Sequence, residues 1–258
     1  MAKQWTKFPH ADPSYAYAGA ALKKGWARLH RGDCEPFPKD GDVASAWRNF
    51  HAGSFQEAVA GGRAAGGAGI NAAIKAQCVY ANYVEPDKTT RLALFEEAAQ
   101  WASERRAAAP RDANAHYLYA FALGRYGQGI SVAKALAQGF GGKIRDALTT
   151  ALALEPKHAE AATAFGAYQA EVIDKVGGLV AGLTYGAKKE SALKSFEQAV
   201  KLFPESPIVH IEYANGLILL FGKSRLDDAT RMYETAAKTA PADAMERLDV
   251  ELAKSELE

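Results

Sequence analysis

The sequence is poor in the features that carry chemistry. It has two cysteines, Cys34 and Cys78, in separate segments with no CxxC and no nearby set of histidines. That pattern excludes a disulfide framework and a cysteine-built zinc site, and both thiols are expected to be free. The six histidines (His10, His30, His51, His116, His158, His210) include no pair at the spacing of a helical zinc motif. Neither sign of charge dominates: 31 Lys and Arg stand against 30 Asp and Glu, a formal net charge of +1. No broad positive field exists to attract phosphate backbones, so nucleic acid is not an expected partner. The locally basic stretch at Lys3, Lys7, Lys23, Lys24, Arg28 and Arg31 reads as a solvated helix face.

Long apolar runs are missing too. Spanning a bilayer takes about 20 apolar residues. The run at 176–187 is short and is interrupted by Gly177, Gly178, Gly182 and Gly186. The opening MAKQWTKFPH has no apolar core of a secretory leader, which places the expected compartment in the cytoplasm. Catalytic motifs are equally scarce. Glycines at 61–67 are not followed by the Lys-Ser/Thr pair that holds phosphate and magnesium. Gly124-Arg125-Tyr126-Gly127-Gln128-Gly129 has the wrong spacing for a dinucleotide loop, and no strand precedes it. Ser131 to Lys134 and Ser191 to Lys194 form Ser-x-x-Lys tetrapeptides without the companion elements of the penicillin-binding enzymes. The expectation is a protein with no cofactor, no metal and no catalysis.

What the sequence has is alanine, helical pattern and a repeat. The chain has 258 residues, 48 % of them apolar, enough to bury a substantial core. Alanine carries the lowest helix cost of any residue, and no strand-like alternation competes with it. Four helical stretches end at Pro110, Pro156, Pro204 and Pro241, separated by 46, 48 and 37 residues. Proline cannot continue a helix and disfavours helix in the residue before it. After the first three the chain restarts alike, with an aromatic before a small residue: Tyr119-Ala120, Phe165-Gly166 and Tyr213-Ala214.

This pattern resembles the tetratricopeptide repeat, which places small residues at its eighth and twentieth positions, an aromatic at its twenty-fourth, alanine at its twenty-seventh and proline at its thirty-second. Ala214, Ala229, Tyr233, Ala236 and Pro241 occupy those places in one unit. Gly166, Ala192, Phe196, Ala199 and Pro204 occupy them in another, and Ala120, Ile144, Leu148, Ala151 and Pro156 in a third. Ala98, Ala102 and Arg105 mark a second helix ending at Pro110. Gly53 to Ala58 reads as a further turn, with a capping box at Ser54 and Glu57. The separations exceed the ~34 residues of a plain repeat because of inserts between paired helices, near 129–142 and 174–186. Such inserts are similar to those of the regulator-of-microtubule-dynamics family and of the T component associated with TRAP transporters.

The resemblance implies an all-α, right-handed solenoid of antiparallel helix pairs with inserts inside the pairs. Residues 1–41 are expected to form an N-terminal helix and loop packing on a solenoid of 42–258, the helix opening at Asp12-Pro13 and running to about Arg31. Asp42 is expected to cap the next helix, and the polar segment from Asp243 to cap the open end. The first helix of each pair lines a concave groove. There the resemblance places Asn114, Tyr117, Phe121, Glu160, Thr163, Ile208, Ile211 and Asn215. The function implied is a scaffold or adaptor holding a protein or peptide partner in that groove, with homo-oligomerisation left open. An alternative is a small-ligand accessory protein like the transporter component, with the inserts closing a pocket. His116 and His210 take the same place in two repeats, which points to a shared structural role.

The repeat register itself is testable. Ala229 lies where paired helices approach closely, so Ala229→Leu is expected to overpack the contact and cost about 1–3 kcal/mol, read as a lowered Tm. An unchanged Tm would mean that the register is misassigned.

Overall fold

A computed structural model describes residues 5–258, so Lys3 lies outside the described residues. Among them every regular element is helical. The helices are α1 (Ala21–Leu29), α2 (Gly41–His51), α3 (Phe55–Ala65), α4 (Gly69–Tyr83), α5 (Lys88–Ala108), α6 (Ala113–Ile130), α7 (Val132–Ala137), α8 (Phe140–Leu154), α9 (Ala159–Val176), α10 (Gly178–Val180), α11 (Lys189–Leu202), α12 (Pro207–Phe221), α13 (Leu226–Ala237) and α14 (Ala244–Ser255). They pair as α2–α3, α4–α5, α6–α8, α9–α11 and α12–α13, and α14 follows alone. The first member of each pair lies on the inner face and the second on the outer face of a helical solenoid.

The small-residue pattern has a direct physical cause. Phe196 of α11 is fully buried. A Cβ at Gly166 would lie 2.9 Å from its ring, and one at Gly216 of the next repeat only 2.4 Å. One aromatic therefore wedges between two inner helices that lack side chains at the contact. Ala192 and Ala229 are likewise fully buried. The repeated histidines do the same job twice: His116 Nε2 donates to the Pro110 carbonyl at 3.0 Å, and His210 Nε2 to the Pro204 carbonyl at 2.7 Å. Each ring thus satisfies the carbonyl that its repeat-ending proline leaves exposed.

Some local expectations differ. The helix expected from Asp12 to Arg31 begins as a single 3-10 turn, Pro13–Ala16, and breaks at Tyr17, which takes φ 44°. Regular helix starts only at Ala21. Asp40, not Asp42, caps α2, its carboxylate accepting from the Asp42 amide. Ser54 stands at the N-cap of α3 without a side-chain capping bond, so the capping box does not form. Arg28 is not on a solvated face. It makes a two-pronged ion pair with Glu246 at 2.6 and 3.0 Å.

That ion pair belongs to the largest departure from an open solenoid. The segment from Asp243 does not merely cover an end; α14 returns to α2 and closes the array on itself. His51 Nδ1 bonds Asp243 Oδ2 at 2.7 Å, Tyr17 donates to the Ala242 carbonyl at 2.7 Å, and Tyr83 donates to Asp249. Leu248 and Ala244 join a core of Trp26, Trp47, Phe50 and Tyr80 from the N-terminal helices.

The loop after α1 turns inward and plugs part of the groove. Gly32 offers its carbonyl to the Glu160 amide at 3.0 Å, occupying a donor that the start of α9 would otherwise leave bare. Asp33 takes the Lys75 ammonium at 2.6 Å, and the same ammonium reaches both Glu160 oxygens at 2.9 and 3.0 Å. All three side chains are buried. Burial alone would neutralise them; Asp33 and Glu160 instead raise the Lys75 pKa, and Lys75 with His30 holds Asp33 well below the usual carboxylate range. Glu35 has no cation. It accepts from Asn71 at 3.2 Å and Asn114 at 2.7 Å, and burial beside Asp33 and Asp112 pushes its pKa up to about 8. His158 orients this end. Its Nδ1 accepts from the Ala161 amide at 3.0 Å, so Nε2 carries the proton and donates to Asn114 Oδ1 at 2.9 Å. That leaves the Asn114 amide nitrogen to face Glu35.

Three substitutions test this packing. Gly216→Ala is expected to lower stability by about 1–3 kcal/mol although alanine is the better helix former, because the Phe196 ring must move. Lys75→Met strands two buried carboxylates and is expected to cost about 3–5 kcal/mol in denaturant unfolding. Glu35→Gln is expected to do the opposite above neutrality. In the native state Glu35 holds its proton up to about pH 8, whereas the unfolded chain releases it near the ordinary 4.5. The native state then binds more protons, so wild-type stability falls as pH rises across that window, and the Gln variant should lack this part of the slope. Equal slopes for the two proteins would contradict the assignment.

Candidate functional site

With one part of the groove plugged and the array closed, what remains of the inner face is a half-open chamber. Its volume is about 120 Å³. Every inner helix from α4 to α14 contributes: Lys75, Val79 and Tyr83 from α4; Tyr117, Phe121 and Arg125 from α6; Thr163, Ala167 and Tyr168 from α9; Ile208 and Glu212 from α12; Met245 and Asp249 from α14. Leu148 of α8 adds apolar wall from the outer layer. Aromatic rings form one side, with Tyr117 and Phe121 parallel at 6.0 Å between centroids. Burial, together with Glu160 beside it, raises the Tyr117 pKa well above the ordinary range, so the phenol stays neutral.

A second space of about 240 Å³ adjoins the chamber and is lined by Asn215, Gly216, Ile218 and Leu219. The two share Arg125, Gln128, Ala167, Glu171 and Glu212. Polar bridges cross at that boundary. Arg125 of α6 bonds Glu212 of α12 at 2.6 Å, and Gln128 of α6 bonds Glu171 of α9. Burial opposes the Arg125 charge, but Glu212 more than restores it, so the pair is ionic. Burial raises the Glu171 pKa, with Gln128 pulling it back. The arrangement is an apolar, aromatic-walled chamber with a polar waist and an outer vestibule. Such a space suits binding: mostly apolar walls with a few placed polar groups.

The structure distributes the groove residues expected from sequence unequally. Tyr117, Phe121, Glu160, Thr163 and Ile208 meet around the chamber. Asn215 lines the vestibule, where its Oδ1 accepts from Tyr233. Asn114 faces the plugging loop. Ile211 is buried in a core with Ala214, Leu217 and Tyr233, away from both spaces. The inserts do not enter the groove. None of residues 129–142 or 174–186 lines the chamber, and the inserts meet each other where Leu136 and Tyr185 crowd Gly141.

The lining residues that sequence reading missed include Lys75, Val79, Tyr83, Met245 and Asp249 of α4 and α14, helices outside the recognised repeats, and also Arg125, Tyr168, Glu171 and Glu212 within them. A signal existed for one of them: Lys75 is the only charged residue in the fifteen-residue α4. Among the described residues no cluster of His, Cys, Asp and Glu is arranged to hold a metal ion, and no helix is long and apolar enough to cross a membrane. Cys34 and Cys78 are both free thiols.

Comparison with known proteins agrees with this architecture. The family described as regulator of microtubule dynamics protein 1-3 matches residues 71–257. Among solved structures, a thermophilic TPR protein of Thermus thermophilus superposes with a TM-score of 0.56 at 17 % identity, covering 83 % of this chain and 97 % of that one. That likeness is one of fold. No curated protein matches the sequence. With helix pairs, inserts and a matching span that leaves out only the N-terminal helices and loop, the chain belongs to the regulator-of-microtubule-dynamics family and is built as a tetratricopeptide-like helical solenoid.

Proposed function

We propose that this protein is a non-catalytic helical-repeat scaffold that holds a small, largely apolar ligand in its inner chamber. The carrying observation is closure. The concave face that tetratricopeptide proteins offer to extended peptides is here plugged by the loop of Gly32, Asp33 and Glu35 and bounded on one side by α14, which bridges α12 and α2. A peptide lying along the whole groove would have to expel a buried Lys75 ion-pair network. A ligand the size of one ring, with a polar group turned to one of the polar side chains that line the chamber, needs no such displacement.

A protein partner, the reading suggested first by the repeats, fits a different surface. Leu179 and Leu183 of the second insert are 78 % and 82 % exposed, far more than isolated leucines at a packed turn. A partner that docks there leaves the chamber free.

One substitution separates the sites. Ala167 lines both chamber and vestibule, so Ala167→Trp should block the chamber. Wild-type protein is expected to gain about 2.7 kcal/mol from a chamber ligand at a hundredfold excess over Kd, read as a raised Tm. The variant should lose that response, while a partner docked on Leu179 and Leu183 should still bind it. A full thermal response from Ala167→Trp would move the ligand site elsewhere.

A further inference from the structure

The chamber carries an unbalanced set of polar groups. Four carboxylates line it, Glu160, Glu171, Glu212 and Asp249, against two cations, Lys75 and Arg125. Both cations are committed. Lys75 is spent on Asp33 and Glu160, and Arg125 on Glu212 and Gln128. Of the carboxylates, Glu160 has Lys75, Glu212 has Arg125, and Glu171 accepts from Gln128.

Asp249 is different. It is 1 % exposed. Tyr83 donates to its Oδ1, while Oδ2 is buried with no hydrogen-bond partner. A buried carboxylate oxygen without a donor is costly, and native proteins rarely leave one so. Tyr168, on the same chamber wall, also holds a buried hydroxyl with no partner. An anionic ligand would meet surplus carboxylate and no free cation. A neutral apolar ligand would leave Asp249 Oδ2 as it is. A ligand N–H⁺ would supply the missing donor.

Resting on the reading of the chamber as a ligand site, we propose that its ligand is an organic ammonium: a protonated primary or secondary amine on an apolar body of about one ring. The ammonium donates to Asp249 Oδ2, and the body lies against Tyr117 and Phe121. The size follows from the volume: an apolar cavity of about 150 Å³ accommodates benzene, and the chamber of about 120 Å³ opens onto an adjoining space of about 240 Å³ that leaves room for a short chain. The rings suit the charge, because an aromatic face attracts a cation held nearby.

The proton balance follows from the surroundings of Asp249. Tyr83 and Lys75 face the chamber from α4, Arg125 from α6, Glu160 from α9 and Glu212 from α12, with Asp243 and Glu246 on its own segment. Burial raises its pKa well above the usual range; the Tyr83 hydrogen bond opposes this, and Glu246, Asp243 and Glu160 add to it. Burial therefore disfavours the ionised carboxyl, and an ammonium seated beside it favours that form. Amine binding and ionisation of Asp249 are thereby linked, so amine affinity rises with pH while the amine stays protonated.

Titration calorimetry of the full chain with three probes of one shape tests this: 2-phenylethylamine, 2-phenylethanol and phenylacetate. The amine is expected to bind about tenfold or more tightly than the alcohol, a ratio worth about 1.4 kcal/mol, and phenylacetate more weakly still. Amine affinity should rise as pH is raised, and this dependence should be absent from alcohol binding. Asp249→Asn, which keeps the Tyr83 contact, should bring amine and alcohol within about threefold of each other. Should that variant fail to fold, the preference of the wild type among the three probes and its pH dependence decide alone. Equal binding of amine and alcohol by wild type overturns the ammonium assignment and leaves the chamber as a neutral-ligand site. Preference for phenylacetate overturns it as well. Binding of none of the three, or amine binding that survives Ala167→Trp unchanged, overturns both the ammonium assignment and the chamber reading.

Discussion

The Lys75 ammonium is the point on which the interior depends. It sits in the middle of an otherwise uncharged helix, out of reach of water, and is stable there only because Asp33 and Glu160 supply two carboxylates from elsewhere in the chain. One comes from the loop after α1 and the other from the first turn of α9. The desolvation cost of such a triad rivals its Coulombic gain, so its contribution is better described as specificity than as strength. Any register that moved the loop away would leave a bare buried charge. The loop is thereby fixed in one place, and with it the end wall of the chamber.

Closure follows from the same N-terminal region. The α1–α2 layer gives α14 a surface to pack on and three polar anchors, Arg28, His51 and Tyr17. Once α14 is seated, Met245 and Asp249 complete the chamber wall. A groove that other repeat proteins leave open becomes an interior.

The repeats were legible because their physics is local. Proline stops, the paired small and aromatic residues, and the equivalent histidines each act within one helix pair or against the next. Phe196 between Gly166 and Gly216 is the case where the sequence pattern and the contact coincide. Tyr117, Phe121, Thr163 and Ile208 were placed on the inner face by the same register. The rest was not legible because it depends on contacts between distant segments. Nothing near Asp33 in sequence indicates that it meets Lys75, and nothing near Asp243 indicates that it meets His51, 192 residues earlier. The break at Tyr17 is also tertiary in origin, since its side chain reaches Ala242 across the closure. Asn114 and Ile211 show the limit of register alone: both stand at groove positions, yet one serves the plugging loop and the other the core.

The joined ends have a consequence for cooperativity. An open repeat array behaves as a row of nearest-neighbour units, able to fray from either end and to lose terminal units singly. Here the terminal units border each other. Releasing α14 uncovers the N-terminal core as well as its own last repeat, and freeing the first helices exposes the C-terminal segment in turn. Fraying has no free end at which to begin, so the array should open as one unit, more like a hoop than a spring. A hoop also holds its diameter. The width of the chamber is then a property of the whole circuit of inner helices rather than of the pitch between any two of them.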